Sequence, residues 1–397
     1  MRLRNIVIPA AVITALSVAA GFSAAEPAGH DFISEARLIY RIVACGDGEA
    51  ALTARFDAAA IQDHCRKIDR NIGIYRRDFI DKASLFVAKL VPGGLPAKVI
   101  VPFGGGDLLP AMVIYPNSSE YTTISLESAG DPRRLAKATL PQLRQGLDSY
   151  RSNVGYMLVS YDNSNESVRN MDRGLIPNQL SFALAALSAL GYEPVSLKYF
   201  RIEQDGSLHY LSLSEIDSLE NVRGQRLKWS WIDTDFSVAF RNMELAFRRK
   251  GAGPTAPVII HRHIAFNLDN QHFQGSGLQK HLEGKGTVKA MIKGASYLIW
   301  MDNFKAIRDY LLAYSTYMIS DSTGILPRHA SKAGFEQITY GRFSGAFLKD
   351  NGGADAASFR NLWQSQPYRP MQFRFGYSDI YKANHLLVTR LRQTSEK

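Results

Sequence analysis

The chain has 397 residues, with 47 Lys and Arg against 37 Asp and Glu, a formal charge of +10 and 46% hydrophobic residues. That hydrophobic content excludes general disorder, and the length suffices for one large domain or two moderate ones. A positive surface favours anionic partners, but no run of five basic residues occurs. The charge therefore reads as a solvated basic surface, and nucleic acid is not an expected partner.

The N-terminus carries Arg2 and Arg4, an uncharged apolar run from Ile6 to Phe22, and then Ser23-Ala24-Ala25. This is the pattern of a secretory signal peptide, with cleavage expected after Ala25. The run is interrupted by Pro9 and Gly21, whereas a membrane-spanning helix needs about 20 apolar residues, so no transmembrane segment is expected after cleavage. The 372 residues from Glu26 onward keep a formal charge of +8, and the expected location is periplasmic or extracellular. The two cysteines, Cys45 and Cys65, then meet an oxidising compartment, which favours a disulfide between them over two buried thiols.

From Asp57, a plausible N-cap, Ile61, Cys65, Ile68, Ile72, Tyr75 and Phe79 recur at spacings of four and three. This is a long amphipathic helix with one apolar stripe. Residues 26–92 read as an N-terminal helical segment docked on the core. The break Pro92-Gly93-Gly94-Leu95-Pro96 then opens residues 93–397, which read as a single elaborated α/β domain. The next stretch, VIVPFGGGDLLPAMVIYPNSSEYTTISLE from Val99 to Glu127, has the grammar of a β-turn-α-β unit. Strands Val99–Phe103 and Tyr121–Leu126 are expected to be parallel neighbours. Gly104, Gly105 and Gly106 supply a tight turn free of Cβ clashes, and Asp107 caps the short helix. Glu127 then falls at a strand's carboxyl end, where open α/β sheets place their ligand crevices.

Further along, the pattern predicts a helix from Arg133 to Tyr150, a strand from Gly155 to Tyr161, a helix from Gln179 to Leu190 and a strand from Pro194 to Ile202. Gln204-Asp205-Gly206 marks a hairpin to Leu208–Leu213. Leu227–Ile232, Met243–Arg248 and Val258–Phe266 continue with period-two alternation, so the middle section, Tyr199 to Phe266, reads as an antiparallel extension. A helix at Asp302–Tyr314 and strands at Tyr317–Ser320, Phe373–Tyr377 and His385–Leu391 follow. The fold class is α/β: a three-layer, mostly parallel, Rossmann-like sheet with an antiparallel extension and an N-terminal helical segment.

The segments PFGGGDLLPAMVIYPN, TTISLESAGDPRRL, GYEPVSLKYF, KGASYLIW, YMISDSTGI and ITYGRFSG, in that order, resemble a family of uncharacterised exported proteins from myxobacteria and related bacteria. The resemblance spans roughly Cys45 to Arg392 and implies an exported, single-unit architecture. It brings no reaction, cofactor or catalytic residue with it.

Several constellations remain. Gly104-Gly105-Gly106-Asp107 followed by Glu127 is the outline of a nucleotide or S-adenosylmethionine site. The full G-x-G-x-x-G spacing is absent, however, because Leu109 stands where the third glycine would be, so no cofactor is expected. A small-ligand or glycan crevice and a structural turn are the readings left. Asp321-Ser322-Thr323-Gly324 is a turn at a strand end that lacks both the aspartic-protease spacing and the G-x-S-x-G elbow. His261 and His263, two apart on a strand, project from one face and, with His272 or His281, have the spacing of a metal site. Hydrogen bonding is the commoner use of such a pair, and no metal is expected. Trp229 and Trp231 alternate along another strand and suit sheet packing or a sugar ring.

Two functions follow. The first is a non-catalytic protein that binds an anionic or polyhydroxylated envelope ligand, a polymer or a small molecule, through Gly104, Gly105, Gly106, Asp107 and Glu127. The second is a secreted hydrolase of an ester, glycan or peptide, with Asp107, Glu127 and Asp321 as acid and base and Ser322 as nucleophile.

Overall fold

The chain is described by a computed structural model that covers residues 29–48, 54, 56–160, 171, 174–222, 237–293, 295–343, 353–375 and 384–392. The leader 1–25, the expected strand Leu227–Ile232 and its Trp229 and Trp231 lie outside these residues. Among the described residues ten strands form one sheet: β1 Lys98–Pro102, β2 Glu120–Ser125, β3 Tyr192–Ile202, β4 Leu208–Tyr210, β5 Asn242–Arg249, β6 Ile259–Ala265, β7 Val288–Ile292, β8 Ser315–Ser320, β9 Phe335–Arg342 and β10 Asn384–Leu391. Their order is β4-β3-β5-β6-β2-β1-β7-β8-β10-β9.

The expected pairing at the centre holds. β1 and β2 are parallel neighbours in the register Val99↔Tyr121, and β1 also pairs in parallel with β7, Val99 opposite Lys289. β6 joins β2, and β8 joins β7, again in parallel. Outside these five the named strands pair antiparallel: β5 on β6, β3 on β5 and β4 on β3 at one side, β10 on β8 and β9 on β10 at the other. The sheet is therefore mixed and not mostly parallel. Val258–Phe266 is corrected too, because β6 pairs antiparallel with β5 yet parallel with β2 and forms the boundary of the extension.

The helix α1, Ile33–Ile42, lies against β3, where the Phe32 amide donates to the Leu197 carbonyl (2.7 Å) and the Tyr40 hydroxyl to the Tyr192 carbonyl (2.7 Å). α2, Ala58–Tyr75, starts at Asp57, whose carboxylate accepts from the amides of Ala59 and Ala60. It continues through one π turn, Arg76–Ile80, into α3, Asp81–Leu90. Both the expected cap and the expected stripe are present: Ile61, Ile68, Tyr75 and Phe79 are buried in one apolar cluster with Val99 and Val101 of β1. Among the described residues no helix is long and apolar enough to cross a membrane.

The short helix α4, Leu108–Ile114, carries the crossover from β1 to β2 and is buried along its whole length. α5, Leu140–Ser160, absorbs the strand expected at Gly155–Tyr161, of which Gly155 to Ser160 are its last turns and Tyr161 lies outside the described residues. A short apolar run reads alike as strand or as helix end. α6, Asn178–Leu190, ends where expected at Gly191, whose φ of 75° supplies the left-handed stop. After β4 the predicted strand to Leu213 breaks at a capping box, Ser212 with Glu215, which starts the helix Leu213–Leu219. Of the expected strand Phe373–Tyr377, Gly376 and Tyr377 lie outside the described residues, and Phe375 makes a bridge to Asn384. β7 and β9 have no counterpart among the expected strands.

Alternate residues of the parallel strands enter two separate apolar clusters. Val99, Val101, Met291 and Ile319 pack with α4 and α6, while Ile100, Ala290, Ile292 and Met318 pack with the helix Lys305–Tyr314, which connects β7 to β8. The crossovers that follow β1 and β7 therefore lie against opposite faces of the sheet.

At the amino ends of the parallel strands sits a half-buried charge network. Arg262 of β6 contacts Glu120 of β2 (Nη1 to Oε2, 2.8 Å) and Glu244 of β5 (Nη2 to Oε2, 2.7 Å), Lys285 pairs with Glu120, and the Tyr210 hydroxyl donates to Glu244 (2.6 Å). Burial works to raise the Glu120 carboxyl, but the adjoining Lys285 and Arg262 prevail and hold it below its ordinary value.

The expected disulfide is present: Cys45 and Cys65 are bonded with Cα atoms 5.3 Å apart. Together with His64 they are the one His/Cys/Asp/Glu group among the described residues close enough to hold a metal, and the sulfur–sulfur bond already accounts for it. With the partners 20 positions apart, the constraint on the unfolded chain is worth about 3 kcal/mol. Replacing both cysteines by serine is expected to lower the unfolding free energy by about that amount, measured by urea denaturation against the oxidised wild type.

Candidate functional site

β1 and β7 are adjacent and parallel, and their following connections leave to opposite faces. In an open sheet this is where a crevice forms beyond the carboxyl ends of the strands. The segments that leave these ends carry Phe103 to Asp107 after β1, Leu126 and Glu127 after β2, Lys293 after β7, and Asp321 and Ser322 after β8. Asp107, Glu127, Lys293, Asp321 and Ser322 are all buried.

The turn after β1 is the close-approach turn expected of its glycines, although the left-handed residue in it is not a glycine. None of Gly104, Gly105 and Gly106 has a positive φ; the left-handed residue is Phe103, at φ 62°. A bulky residue there is strained, and such strain concentrates at functional sites. What the glycines provide is close approach. A Cβ on Gly105 would lie 1.9 Å from Gln179 Nε2 and 2.5 Å from Ser125 Oγ, and one on Gly104 would lie 2.6 Å from Val101 Cγ1 and 2.9 Å from Asp107 Oδ2. Gln179, on the first turn of α6, donates from Nε2 to Ser125 Oγ (3.2 Å) and so ties that helix to the end of β2.

Asp107 occupies the position before α4 but makes no capping hydrogen bond, which corrects its expected role. Its carboxylate lies back toward Gly104 instead. Glu127 follows the strand next to β1, so it and Asp107 leave strands about 4.8 Å apart. Asp321 follows β8, which β7 separates from β1. Its Oδ1 accepts from the Thr323 amide (2.7 Å) and the Thr323 hydroxyl (2.5 Å). Asp321 is thus a turn former, a use that competes with acid–base work.

The histidine pair does project from one face, but as a hydrogen-bonded relay. The Glu127 carbonyl can only accept, so His263 Nε2 donates to it (2.8 Å) and His263 Nδ1 carries the lone pair. Thr123 Oγ1, 3.2 Å from that nitrogen, donates to it and accepts from His261 Nε2 (3.0 Å). The relay fixes the backbone at Glu127 from inside the core. His272 and His281 do not join it: His272 pairs with Asp269 (2.7 Å), and His281 Nδ1 lies 3.0 Å from the Gly206 carbonyl.

The sequence reading missed four residues at this edge: Ser125, Gln179, Lys293 and His385. His385 is the second residue of β10, and its Nε2 lies 2.9 Å from Ser322 Oγ, with both side chains buried and the rings of Phe343 and Trp363 against the imidazole. The antiparallel pairing of Leu387 with Ser320 creates this contact across 63 residues of chain, and no local spacing announces it. Lys293 was findable as the one charge that closes the apolar run Ala290-Met291-Ile292.

No protein-family model matches the chain, and no curated protein matches it.

Burial holds His261 down to about 3, the neighbouring His263 adding to the effect, and burial also holds His263 down to about 4. Both imidazoles are thus neutral in the native protein, whereas the unfolded chain takes up protons near pH 6.5. Stability is therefore complete above pH 6.5 and falls as the pH drops toward 4, by up to about 1.4 kcal/mol per group for each pH unit. Urea denaturation at pH 7, 6 and 5 reads this slope, and His263→Gln is expected to make it shallower; an unchanged slope in the folded variant would refute the assignment.

Proposed function

We propose that the protein is an exported binding protein that takes a small polyhydroxylated ligand, neutral or cationic, at the carboxyl edge between β1 and β7. The observation that carries the reading is the placement of Glu127 at the end of β2, directly beside the glycine turn that follows β1. In sheets of this kind an acid at that position accepts hydrogen bonds from a ribose diol. The parallel strands run β6-β2-β1-β7-β8, which by chain order among these five is third, second, first, fourth, fifth. That is the order of a doubly wound sheet, and with an apolar cluster on either face it supports the Rossmann-like, three-layer reading.

Between the two kinds of ligand expected from sequence, the edge favours the polyol. Asp107 and Glu127 oppose an anion, with Lys293 the cation beside them. A dinucleotide does not fit, because the buried Asp107 carboxylate precedes the helix α4 where a pyrophosphate would lie, and Gln179 with Ser125 fills the face of Gly105. Export is supported by the charged-then-apolar N-terminus and by the disulfide; periplasm or medium is the location in keeping with both.

The test is a thermal-shift and calorimetric panel of myo-inositol, N-acetylglucosamine, adenosine and S-adenosylmethionine against inorganic phosphate and heparin. A polyol is expected to raise the melting temperature, with Glu127→Gln weakening its binding at least tenfold. Failure of every polyol, or binding unchanged in a folded Glu127→Gln variant, would overturn the reading.

One observation favours a second reading, in which the protein is a hydrolase. Ser322 and His385 are within hydrogen-bonding reach, as a serine nucleophile and its base must be. A fluorophosphonate probe is expected to label wild-type protein at Ser322 and to leave Ser322→Ala and His385→Ala unlabelled; absence of labelling in the wild type sinks this reading.

A further inference from the structure

A cavity of about 510 Å³ lies beside the ends of β6 and β3, against the start of β5. Its walls include Phe200, Ile202, Ile264, Phe266 and Leu278, and no carboxylate among the described residues lines it. It opens on the face of the sheet opposite the histidine relay, since Ile264 alternates with His263 along β6. The volume is that of a small-molecule site.

Arg241, at the end of the 3-10 turn Val238–Phe240, reaches into this cavity. Its Nε donates to the Ala265 carbonyl (2.8 Å), which fixes the plane of the guanidinium. Nη1 and Nη2 have no protein partner, and no acid is paired with Arg241, among the described residues. Burial lowers its pKa, with no neighbouring acid to offset the effect. Arg241 is half-buried, and a partly desolvated cation without a counter-charge is costly.

The other polar groups nearby are already engaged. Asn242 donates to the Phe200 carbonyl (3.1 Å) and accepts from the Ala265 amide (3.0 Å), Arg201 is held by Glu203, and His272 by Asp269. Arg241 is thus the cavity's outstanding hydrogen-bond donor. Its two terminal nitrogens form a fork that matches the two oxygens of a carboxylate or a phosphate.

We propose that this cavity binds a small amphipathic anion, its carboxylate or phosphate head on the Arg241 fork and its apolar body against Phe200, Ile264 and Leu278. The site shares Leu126 with the strand-end edge but none of Gly104, Gly105, Gly106, Asp107 and Glu127, and it does not rest on the polyol reading.

Isothermal titration with octanoate, octyl phosphate and octan-1-ol tests it. At least one of the two anions is expected to bind tenfold or more tightly than the alcohol, and the better of them identifies the head group. Arg241→Gln is expected to cost at least tenfold in that affinity while leaving the alcohol unchanged, and Arg241→Lys, which keeps the charge and loses the fork, to fall between. Val238→Trp, a half-buried wall residue enlarged, is expected to block all three ligands, with circular dichroism reporting the fold of each variant. Equal binding of anion and alcohol to the wild type, no binding of either anion, or full anion affinity in folded Arg241→Gln overturns the proposal. Should Arg241→Gln fail to fold, the head-group comparison on wild type and the Val238→Trp block decide it.

Discussion

The structure depends on one constraint: β1 is hydrogen-bonded on both edges by parallel strands and covered on both faces by apolar side chains. A strand in that position has no polar face to offer, and Val99-Ile100-Val101 is the result. A parallel neighbour cannot be reached by a tight hairpin, so β1 must be left through a crossover to β2, and β7 through another to β8. Because these lie against opposite faces, the chain parts between β1 and β7, and the residues that leave the strands there are drawn from distant stretches. The strained Phe103 marks the place where the chain turns from the sheet into a wholly buried helix.

The opposite end of the same strands is organised by charge. Arg262 stands between Glu120 and Glu244 and so links the parallel strand β2, through β6, to the antiparallel strand β5. Such a network adds little net stability, because desolvation offsets the attraction. Its effect is on register: a slip of one residue along β6 would carry Arg262 to the other face, among the apolar side chains of β2 and β5. The charge network thus marks the boundary at which the sheet changes from parallel to antiparallel.

What could be read from the sequence was whatever is settled locally. The β1-α4-β2 unit, the Asp57 cap, the left-handed Gly191 and the 192–210 hairpin each carry their cause within a few residues. What escaped is decided at long range. Gly155 to Ser160 has a strand-like composition, but helix α5 continues through it and Leu158 is buried in the core. β6 looked like one more antiparallel strand, because alternation reports which face is buried and not which way the neighbour runs. At the site the divide is the same. Asp107, Glu127 and Asp321 were found at strand ends, but the carboxylate of Asp107 does not cap and that of Asp321 is held by Thr323. Gln179 and His385 reach the edge only through tertiary pairing. Arg241 gave no sequence signal, since an arginine without an acid is recognised by what fails to surround it.

The pairing of Val99 with Lys289 also sets a timetable. The central strand completes its second edge only when a segment 190 residues further along the chain has been made, which at ordinary elongation rates is about 10 to 40 seconds later. Throughout that interval an apolar, β-branched strand presents an open edge, the feature from which intermolecular pairing and aggregation start. A chain wired in this way folds late and as a whole, and its yield depends on whatever shields β1 while β7 is still to come.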